Sequence, residues 1–409
     1  MEQRDGHFGG AATHQAVSLS RRSFIALFAA GAVNAPRRSD ALEASWIVQS
    51  DIVDAWVVIG GDIIAVGSRL VVFDPVTGQE RRSSRLSPPS APQRVLAVSA
   101  TPAAIVFGWY GWQGEGRVVC VDAQSLRIRW QRRIVWPDDE RELSPGVFAV
   151  VRDDAIFILL SGKRGENLFR LRPGTGQTVW SQKIERFILG VPLVWHDGHL
   201  LVQSRITQHY PNGHGHYQAI EPATGATVWR LRFDGTAGFW DDAPLIVGER
   251  TYLTSEISPG PSNHLYAIDI AAGRIVTHRI VEALREPFAL QDGIMYFGTA
   301  TPSAWDVKND GIVWRSRLTR PYSSGPSIVP GGVLDAARRR LYLGDATDSL
   351  YKLSAADGAT IERLDIRSGY VNPARGINSG YGVRRMQLLG DRLIIGTEDG
   401  RLLALPATP

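Results

Sequence analysis

The sequence has almost no cysteine. Cys120 is the only cysteine among 409 residues, and it lies in the apolar run Val-Val-Cys-Val-Asp. One thiol cannot form a disulfide within the chain, so a fold held together by internal disulfide bonds is excluded. We expect Cys120 to be a small buried apolar side chain.

Lysine and excess charge are also scarce. Lys163, Lys183, Lys308 and Lys352 are the only lysines, and the remaining basic residues are arginines. The formal net charge of +4 falls to +2 when residues 1–41 are set aside, since 40 basic and 38 acidic residues remain. The basic residues of that remainder are spread along it in runs of at most three, so the sequence gives no indication of nucleic-acid or anionic-membrane binding.

No apolar run is long enough to cross a bilayer, which takes about 20 residues. Ser-Arg-Arg-Ser-Phe-Ile at residues 20–25 resembles the twin-arginine export motif, and the apolar run Phe24 to Val33 follows it. We therefore expect residues 1–41 to be a removable signal peptide, cut after Ala41 or Ala44, and the mature protein to be periplasmic. The absence of a nearby cysteine argues against a lipid anchor. The alternative is an amphipathic N-terminal helix belonging to the fold.

Motifs of several common enzyme classes are missing as well. The sequence has no Ser-centred nucleophile elbow, no phosphate-binding loop and no zinc signature. No segment shows a convincing helical stripe of apolar residues. What the sequence does contain is a repeat.

The repeated unit is typified by Asn-Leu-Phe-Arg-Leu-Arg-Pro-Gly-Thr-Gly-Gln-Thr-Val-Trp at residues 167–180. An alternating apolar strand ends at a polar position, a turn follows with glycine four residues later, and a second strand carries tryptophan. We call the position four residues before that glycine the ruler position and use it to align the repeats. It falls at Asp74, Asp122, Arg172, Glu221, Asp269, Asp306, Ser354 and Pro406.

Repeats of roughly 50 residues are typical of propellers and solenoids, and the strands within one repeat distinguish the two. Between Trp180 and Asn212 two further alternating strands surround a His-Asp-Gly turn. Each repeat therefore predicts four antiparallel strands. We predict an all-β fold over residues 42–409, a single eight-bladed β-propeller of four-stranded antiparallel blades.

The two ends of the chain predict how the ring closes. The third strand of the last blade falls at residues 401–405, and the chain ends before a fourth. The segment Glu-Ala-Ser-Trp-Ile-Val-Gln at residues 43–49 places Trp46 at the tryptophan of the fourth-strand pattern. We expect this N-terminal strand to complete the last blade and to leave no free edge there.

The pattern apolar-Tyr-Ala-apolar-Asp-x-x-x-Gly-x-x-x-Trp is similar to the repeat of the pyrroloquinoline-quinone-type propellers. Residues 266–273 match it closely, as do Gly176 with Trp180 and Gly225 with Trp229. The resemblance implies that these tryptophans and glycines are structural. It also implies one of two functions, because the family includes quinone-dependent dehydrogenases and non-enzymatic BamB-type scaffolds.

Aromatic residues gather in the links predicted for one face of the ring, the face that carries the links between strands two and three and between blades. Long loops on a rigid scaffold commonly carry binding sites, and aromatic and arginine side chains dominate interfaces. The alternative for each ring is that it only packs its own loop. The candidate binding residues are Trp109, Tyr110, Trp112, Trp136, Tyr210, Trp240, Tyr322, Tyr370, Arg375 and Tyr381.

A histidine-rich segment at residues 209–216 invites a metal interpretation. His214 and His216 flank a glycine, and neutral imidazoles are good metal ligands. No carboxylate or cysteine accompanies them in a ligand-like arrangement, so we favour solvated histidines over a metal site.

The function hypothesis that follows is a periplasmic, monomeric, non-enzymatic scaffold that binds a protein or peptide partner in the cell envelope and holds no cofactor. The alternative is a dehydrogenase dependent on pyrroloquinoline quinone and calcium, or a small-molecule binder, using the central funnel. Acidic residues 138–140, 241 and 242 could supply its base or hold calcium, but they are more typical of solvated loop residues. Such enzymes, as the resemblance implies, often have adjacent cysteines beside the cofactor. This chain has none, and no residue set in it matches their metal ligands or catalytic carboxylate.

Overall fold

A computed structural model shows a chain built of β-strands, and the described residues contain no α-helix. The structure describes residues 45–48, 55–86, 93–111, 115–135, 146–161, 167–184, 193–206, 214–234, 244–256, 262–282, 287–298, 301–316, 318, 332–344, 349–366, 383–397 and 400–407.

The first four blades are four-stranded antiparallel sheets in which strands follow one another in chain order. Blade 1 contains β2 (Ala55–Ile59), β3 (Asp62–Val66), β4 (Arg69–Phe73) and β5 (Glu80–Arg85). Blade 2 contains β6 (Gln93–Ala100), β7 (Ala104–Gly111), β8 (Glu115–Asp122) and β9 (Ile128–Val135). Blade 3 contains β10 (Gly146–Val151), β11 (Ile156–Ser161), β12 (Leu168–Leu171) and β13 (Thr178–Gln182). Blade 4 contains β14 (Leu193–His196), β15 (His199–Ile206), β16 (His214–Ile220) and β17 (Thr227–Asp234).

The remaining blades continue this order, except that the last borrows a strand from the N-terminal end. Blade 5 contains β18 (Leu245–Val247), β19 (Arg250–Glu256), β20 (Ser262–Asp269) and β21 (Arg274–Glu282). Blade 6 contains β22 (Pro287–Gln291), β23 (Ile294–Phe297), β24 (Ser303–Asp306) and β25 (Gly311–Arg315). Blade 7 contains β26 (Gly332–Asp335), β27 (Arg340–Gly344), β28 (Ser349–Ser354) and β29 (Thr360–Asp365). Blade 8 contains β30 (Val383–Leu389), β31 (Arg392–Thr397), β32 (Leu402–Pro406) and β1 (Trp46–Val48).

The ring closes through β1, as the sequence predicts. β1 pairs antiparallel with β32, placing Trp46 opposite Ala404 and Val48 opposite Leu402. Blade 8 therefore has the same four strands as its neighbours, in the order β1-β32-β31-β30. The prediction of an eight-bladed propeller closed by an N-terminal strand is confirmed.

The core lies between blades. Each apolar cluster of buried residues joins two successive blades, because every sheet has a neighbour on both faces. Cys120 is fully buried in the cluster between blades 2 and 3, in agreement with its expected role as an apolar side chain. Burial also raises the pKa of its thiol to about 11.

The turn between strands three and four of a blade is fixed by the ruler residue. In blade 1 the Asp74 carboxylate accepts hydrogen bonds from the backbone N–H groups of Val76 and Thr77, at 2.7 and 2.9 Å. The Gly78 N–H donates to the Asp74 carbonyl oxygen at 2.8 Å. A β-bulge follows in the fourth strand and leaves Arg81 outside the regular register. The bulge redirects the next side chain towards the neighbouring blade.

Tryptophan occupies that next position at five blade junctions within the described residues. Each indole N–H donates to the backbone carbonyl of the residue after the ruler position in the following blade, at 2.7–3.1 Å. Each indole also covers the turn glycine of that blade, where an added Cβ would lie within 2.8 Å of the ring. We call these the tryptophan junctions; their Trp–Gly pairs are Trp46–Gly78, Trp130–Gly176, Trp180–Gly225, Trp229–Gly273 and Trp314–Gly358.

The junction between blades 1 and 2 lacks this tryptophan. Arg82 stands at the position and donates through Nη1 to the carbonyl oxygen of Ala123 at 3.2 Å, the acceptor that an indole would use elsewhere. The turn residue it faces is Leu126, which adopts the left-handed φ of 55° and is buried in the cluster between the two blades. Leucine therefore fills the space that tryptophan fills at the other junctions.

The junction between blades 5 and 6 also lacks the tryptophan. Thr277 stands at the position, and the facing turn residue is Asp310, with φ of 56°. The Asp310 carboxylate pairs with the Arg279 guanidinium of blade 5 at 2.7 Å. An exposed ion pair thus links the blades where an indole would otherwise pack.

The junction between blades 7 and 8 uses a third arrangement. Glu362 replaces the tryptophan and lies 3.7 Å from the ammonium group of Lys352, which is itself buried. Burial lowers the pKa of Lys352. The hydroxyl of Tyr342, on the second strand of blade 7, donates to the Ala407 carbonyl oxygen of blade 8 at 3.2 Å.

Candidate functional site

The two sides of the ring differ in their links. Links between strands one and two and between strands three and four form the short-link face; a typical example is the Asp197-Gly198 turn that joins β14 to β15. Links between strands two and three and between blades form the long-link face. Its longest links run from Arg315 to Gly332 and from Asp365 to Val383. Length variation is therefore concentrated on one side of a regular ring.

One expected insertion on the long-link face is shorter than the sequence suggests. The four glycines and the candidate aromatic residues of segment 108–116 predict a long loop, but β7 continues to Gly111 and β8 begins at Glu115. Gly108 is needed for packing, because an added Cβ would collide with Val147 of the next blade. The prediction of a long loop here is corrected to an extended hairpin.

Trp109 belongs to the core of this hairpin. Its side chain is only 2% exposed, and its ring packs edge-on against Phe107 at 5.1 Å between centroids. It lies in the apolar cluster between blades 1 and 2. Trp109 therefore stabilises the hairpin and is not part of an exposed face.

Of the other candidate binding residues, only Tyr110 lies within the described residues. Tyr110 lies in β7 opposite Gly116, at the end that approaches the long-link face. The remaining candidates fall outside the described residues, on long-link segments of the chain: Trp112, Trp136, Tyr210, Trp240, Tyr322, Tyr370, Arg375 and Tyr381.

The two candidate metal-binding histidines lie at the start of a strand. β16 begins at His214, which pairs with Ile206 and Asp234 across the sheet. His216 is 6% exposed, and its Nδ1 accepts a hydrogen bond from the Arg230 guanidinium at 3.0 Å. A nitrogen held by a cation is poorly placed to bind a metal ion. The prediction that His216 is solvated is therefore wrong, because its side chain is buried and hydrogen-bonded to Arg230.

The described residues do not match the calcium site expected beside a quinone cofactor. Within these ranges no cluster of three or more histidine, cysteine, aspartate or glutamate side chains is arranged to hold a metal ion. The acidic residues considered as calcium ligands, 138–140, 241 and 242, lie outside the described ranges. The dehydrogenase alternative thus has no ligand set in the described part of the chain.

A small cavity between blades 2 and 3 is a feature that the sequence did not reveal. It measures about 100 Å³ and opens beside Arg132 and Arg133 of β9. The Arg132 guanidinium lies over the Phe169 ring at 5.4 Å and donates to the Thr178 hydroxyl at 2.8 Å. Arg132 therefore covers part of the cavity; its apolar lining is Val118, Ile134, Ile158, Leu160, Phe169 and Leu171.

The closed ring of blades, the tryptophans between blades and the turn glycines together define the class of protein. The chain is an eight-bladed propeller of the quinoprotein-like repeat type. The family model described as outer membrane protein assembly factor BamB matches residues 164–293 and 298–408, more than half of the chain. The chain therefore belongs to this family.

Three solved structures share the fold of this chain. The crystal structure of BamB from Moraxella catarrhalis superposes with a TM-score of 0.62 at 14% identity, covering 89% of this chain and 99% of that one. The computationally designed Ika8 protein gives 0.59 at 11% identity, with coverage of 90% and 98%. Sqt1 from Saccharomyces cerevisiae gives 0.55 at 11% identity, with coverage of 88% and 97%. Similarity at these identities establishes the fold alone.

A search of curated proteins finds no match to the chain. In the ranges that the structure describes, no helix is both long and apolar enough to qualify as a membrane span.

Proposed function

We propose that this protein is an exported propeller scaffold that binds a protein or peptide partner through its long-link face. The observation that carries the proposal is the asymmetry of the ring: tight turns on one face and the longest, most aromatic links on the other. Rigid scaffolds commonly carry their binding residues on such links. Membership of the BamB family, in which outer-membrane assembly is the described role, supports a partner in the cell envelope.

The same proposal covers location and assembly state. The twin-arginine-like segment at residues 20–25 and the apolar run behind it support export to the periplasm with removal of residues 1–41. The chain's own strand β1 completes blade 8, so the ring needs no strand from a second copy. The protein is therefore proposed to act as a periplasmic monomer.

Site-specific photocrosslinking tests the proposed face. A photoreactive phenylalanine analogue at Trp112, Trp136 or Tyr322 should give a discrete crosslinked product in intact cells, because these positions lie on links of the long-link face. The matched control places the same analogue at Val76 or Val313, which are 56% and 49% exposed on outer parts of the described blades. Equal crosslinking at the control positions, or none at the long-link positions, would contradict the proposed face.

A cofactor-binding assay separates the scaffold from the dehydrogenase. The purified protein is incubated with pyrroloquinoline quinone and calcium, desalted, and examined for a bound chromophore and for dye reduction with alcohols or sugars. The scaffold proposal expects neither. A stoichiometric chromophore accompanied by dye reduction would overturn it in favour of the dehydrogenase.

A further inference from the structure

Two histidines of blade 5 face each other across its outer hairpin. His264 lies in β20 and His278 in β21, and the distance between His264 Nδ1 and His278 Nε2 is 2.7 Å. In the strand register Tyr266 is opposite His278, so His264 and His278 are diagonal neighbours on the same face of the sheet. One of these ring nitrogens therefore donates a hydrogen bond to the other. A metal ion bound between them would replace that proton.

A tyrosine holds this pair in place. The Tyr266 ring stacks on the His278 imidazole at 4.7 Å between centroids, with an angle of 7° between the planes. The Tyr266 hydroxyl lies 3.3 Å from His264 Nδ1. The other side of Tyr266 packs edge-on against Phe233 of blade 4 at 4.8 Å, which ties the ring to the core. The Tyr266 hydroxyl therefore lies beside the two imidazoles, and packing against Phe233 holds the Tyr266 ring in place.

We propose that His264 and His278 bind a divalent transition-metal ion through His264 Nδ1 and His278 Nε2, with the Tyr266 hydroxyl beside the ion. In a tetrahedral site with metal–nitrogen bonds of about 2.0–2.1 Å, the two nitrogens lie about 3.3 Å apart. The observed 2.7 Å separation needs to open only slightly, which small rotations of partly exposed rings allow. Water, or a donor group on a binding partner, completes the coordination.

The arginine beside the site is paired elsewhere. Metal ligation requires the neutral imidazole, and an unpaired cation beside the rings would also repel a metal ion. Arg279, the next residue along β21, projects its charge towards Asp310, which it contacts at 2.7 Å. The cation closest in sequence is thereby neutralised by its own partner.

The site differs from the histidine-rich segment that the sequence singled out. His216 binds Arg230, whereas His264 and His278 contact each other and a tyrosine. Imidazole ligands favour copper, nickel and zinc over calcium and magnesium. The affinity order expected from ligand chemistry places Cu²⁺ first, with Zn²⁺ and Ni²⁺ weaker.

Titration calorimetry with Zn²⁺ and Cu²⁺ on the full, untagged chain tests the proposal. The wild type should bind one ion per chain at this site, and His264→Gln or His278→Gln should raise Kd at least tenfold. The matched control is the double variant His196→Gln/His199→Gln, which removes the pair of facing histidines at the β14–β15 turn of blade 4. The control should leave Kd unchanged.

A spectroscopic readout separates ligation from altered folding. Bound Cu²⁺ should show nitrogen hyperfine coupling in electron paramagnetic resonance, and this coupling should be lost in His264→Gln/His278→Gln while circular dichroism remains that of the wild type. Tyr266→Phe should weaken binding by less than either histidine change, since it removes only the hydroxyl. Unchanged Kd in the His264/His278 double variant, or equal loss in the blade 4 control, would overturn the site.

Discussion

The tryptophan junctions and the junction between blades 1 and 2 solve one packing problem in two ways. At the five tryptophan junctions an indole covers a glycine in the turn of the following blade. Between blades 1 and 2 the indole is replaced by Arg82 and the glycine by Leu126, yet the same backbone carbonyl position accepts a hydrogen bond. The hydrogen-bond donor can be an indole or a guanidinium. The turn residue is glycine where an indole covers it and leucine where no indole is present.

The comparison explains why glycine occurs in these turns. Leu126 and Asp310 adopt φ of 55° and 56°, close to the 60–79° of the five glycines at the tryptophan junctions. Positive φ alone therefore does not exclude a side chain. Both occur at junctions where tryptophan is absent. Glycine is required where an indole lies against the turn, because a Cβ would meet the ring. The sequence pair Trp–Gly is therefore one packing unit spanning two blades.

The largest effect is expected at the ring closure. Trp46→Ala removes a buried indole that packs on Gly78 and donates to the Pro75 carbonyl oxygen at 3.0 Å. The free energy of unfolding should fall by about 3–5 kcal/mol, as is usual for a buried tryptophan. Chemical denaturation measures the change. Ile47→Ala in the same strand is the control, since Ile47 is 53% exposed and should change stability by less than about 0.5 kcal/mol.

The next effect separates backbone strain from collision with the indole. Gly176→Ala and Gly198→Ala place a Cβ on glycines with φ of 69° and 77°. Only the first meets a neighbour, Trp130 at 2.7 Å. Strain should cost about 1–2 kcal/mol in both, and overpacking should add about 1–3 kcal/mol at Gly176 alone.

Thermal and chemical denaturation of the two glycine variants give the difference directly. Equal losses at Gly176 and Gly198 would mean that φ alone selects glycine in these turns. That result would also remove the proposed reason for Leu126.

A smaller effect tests whether one kind of junction can be converted into the other. Arg82→Trp should destabilise the protein because its indole meets Leu126, and Leu126→Gly should destabilise it by leaving a cavity. The stability lost in the double variant should be about 1–3 kcal/mol smaller than the sum of the two single losses, because the Trp–Gly unit is restored. Strict additivity in the double-mutant cycle would show that the two positions do not depend on each other.

The smallest effect concerns acid and is shared by both kinds of junction. The Thr77 backbone N–H and then the Arg81 guanidinium lower the pKa of Asp74 from 3.8 to about 2. The same kinds of donor, led by the Ser125 N–H and Arg129, lower the pKa of Asp122 in blade 2. A lowered pKa in the folded state stabilises the fold above about pH 4, and that contribution is lost as the pH falls towards 2.

Asp74→Asn keeps an oxygen acceptor for the turn but cannot ionise. Its free energy of unfolding should therefore depend less on pH between 4 and 2 than that of the wild type. Asp122→Asn should behave in the same way. An unchanged pH dependence in both variants would show that these carboxylates do not contribute to acid sensitivity.

The regular part of the molecule could be predicted from sequence because each blade repeats the same local interactions. The ruler positions from Asp74 to Pro406 correctly gave eight blades, and the unpaired third strand at the C-terminus correctly pointed to Trp46 as its partner. Local turn chemistry and strand alternation determine both features. The replacement of tryptophan by Thr277 and Glu362 is also visible in the sequence. The ion pairs at those junctions, Arg279–Asp310 and Lys352–Glu362, appear only in the structure.

The candidate site was harder to predict because it depends on contacts between blades. Gly108 resembled a loop residue, whereas it permits the close approach of Val147, and Trp109 is buried as a result. The His264–His278 pair lies within one blade and was missed because its residues, 14 apart in sequence, meet only in the paired strands. A signal did exist: the turn at Gly273 fixes the hairpin register, and that register makes the two histidines diagonal neighbours.

The closing strand has a consequence for how the protein is made. Residues 46–48 pair with residues 402–404, so β1, the first of the described strands, can pair only after β32, the last of them, has been synthesised. Contacts between such distant segments are slow to form, because a long chain loop has to close first. Until then blade 1 lacks the neighbour that covers Trp56 and Ile63. A chain truncated near its C-terminus would keep that apolar surface open, which gives proteases and chaperones a physical mark of incomplete synthesis.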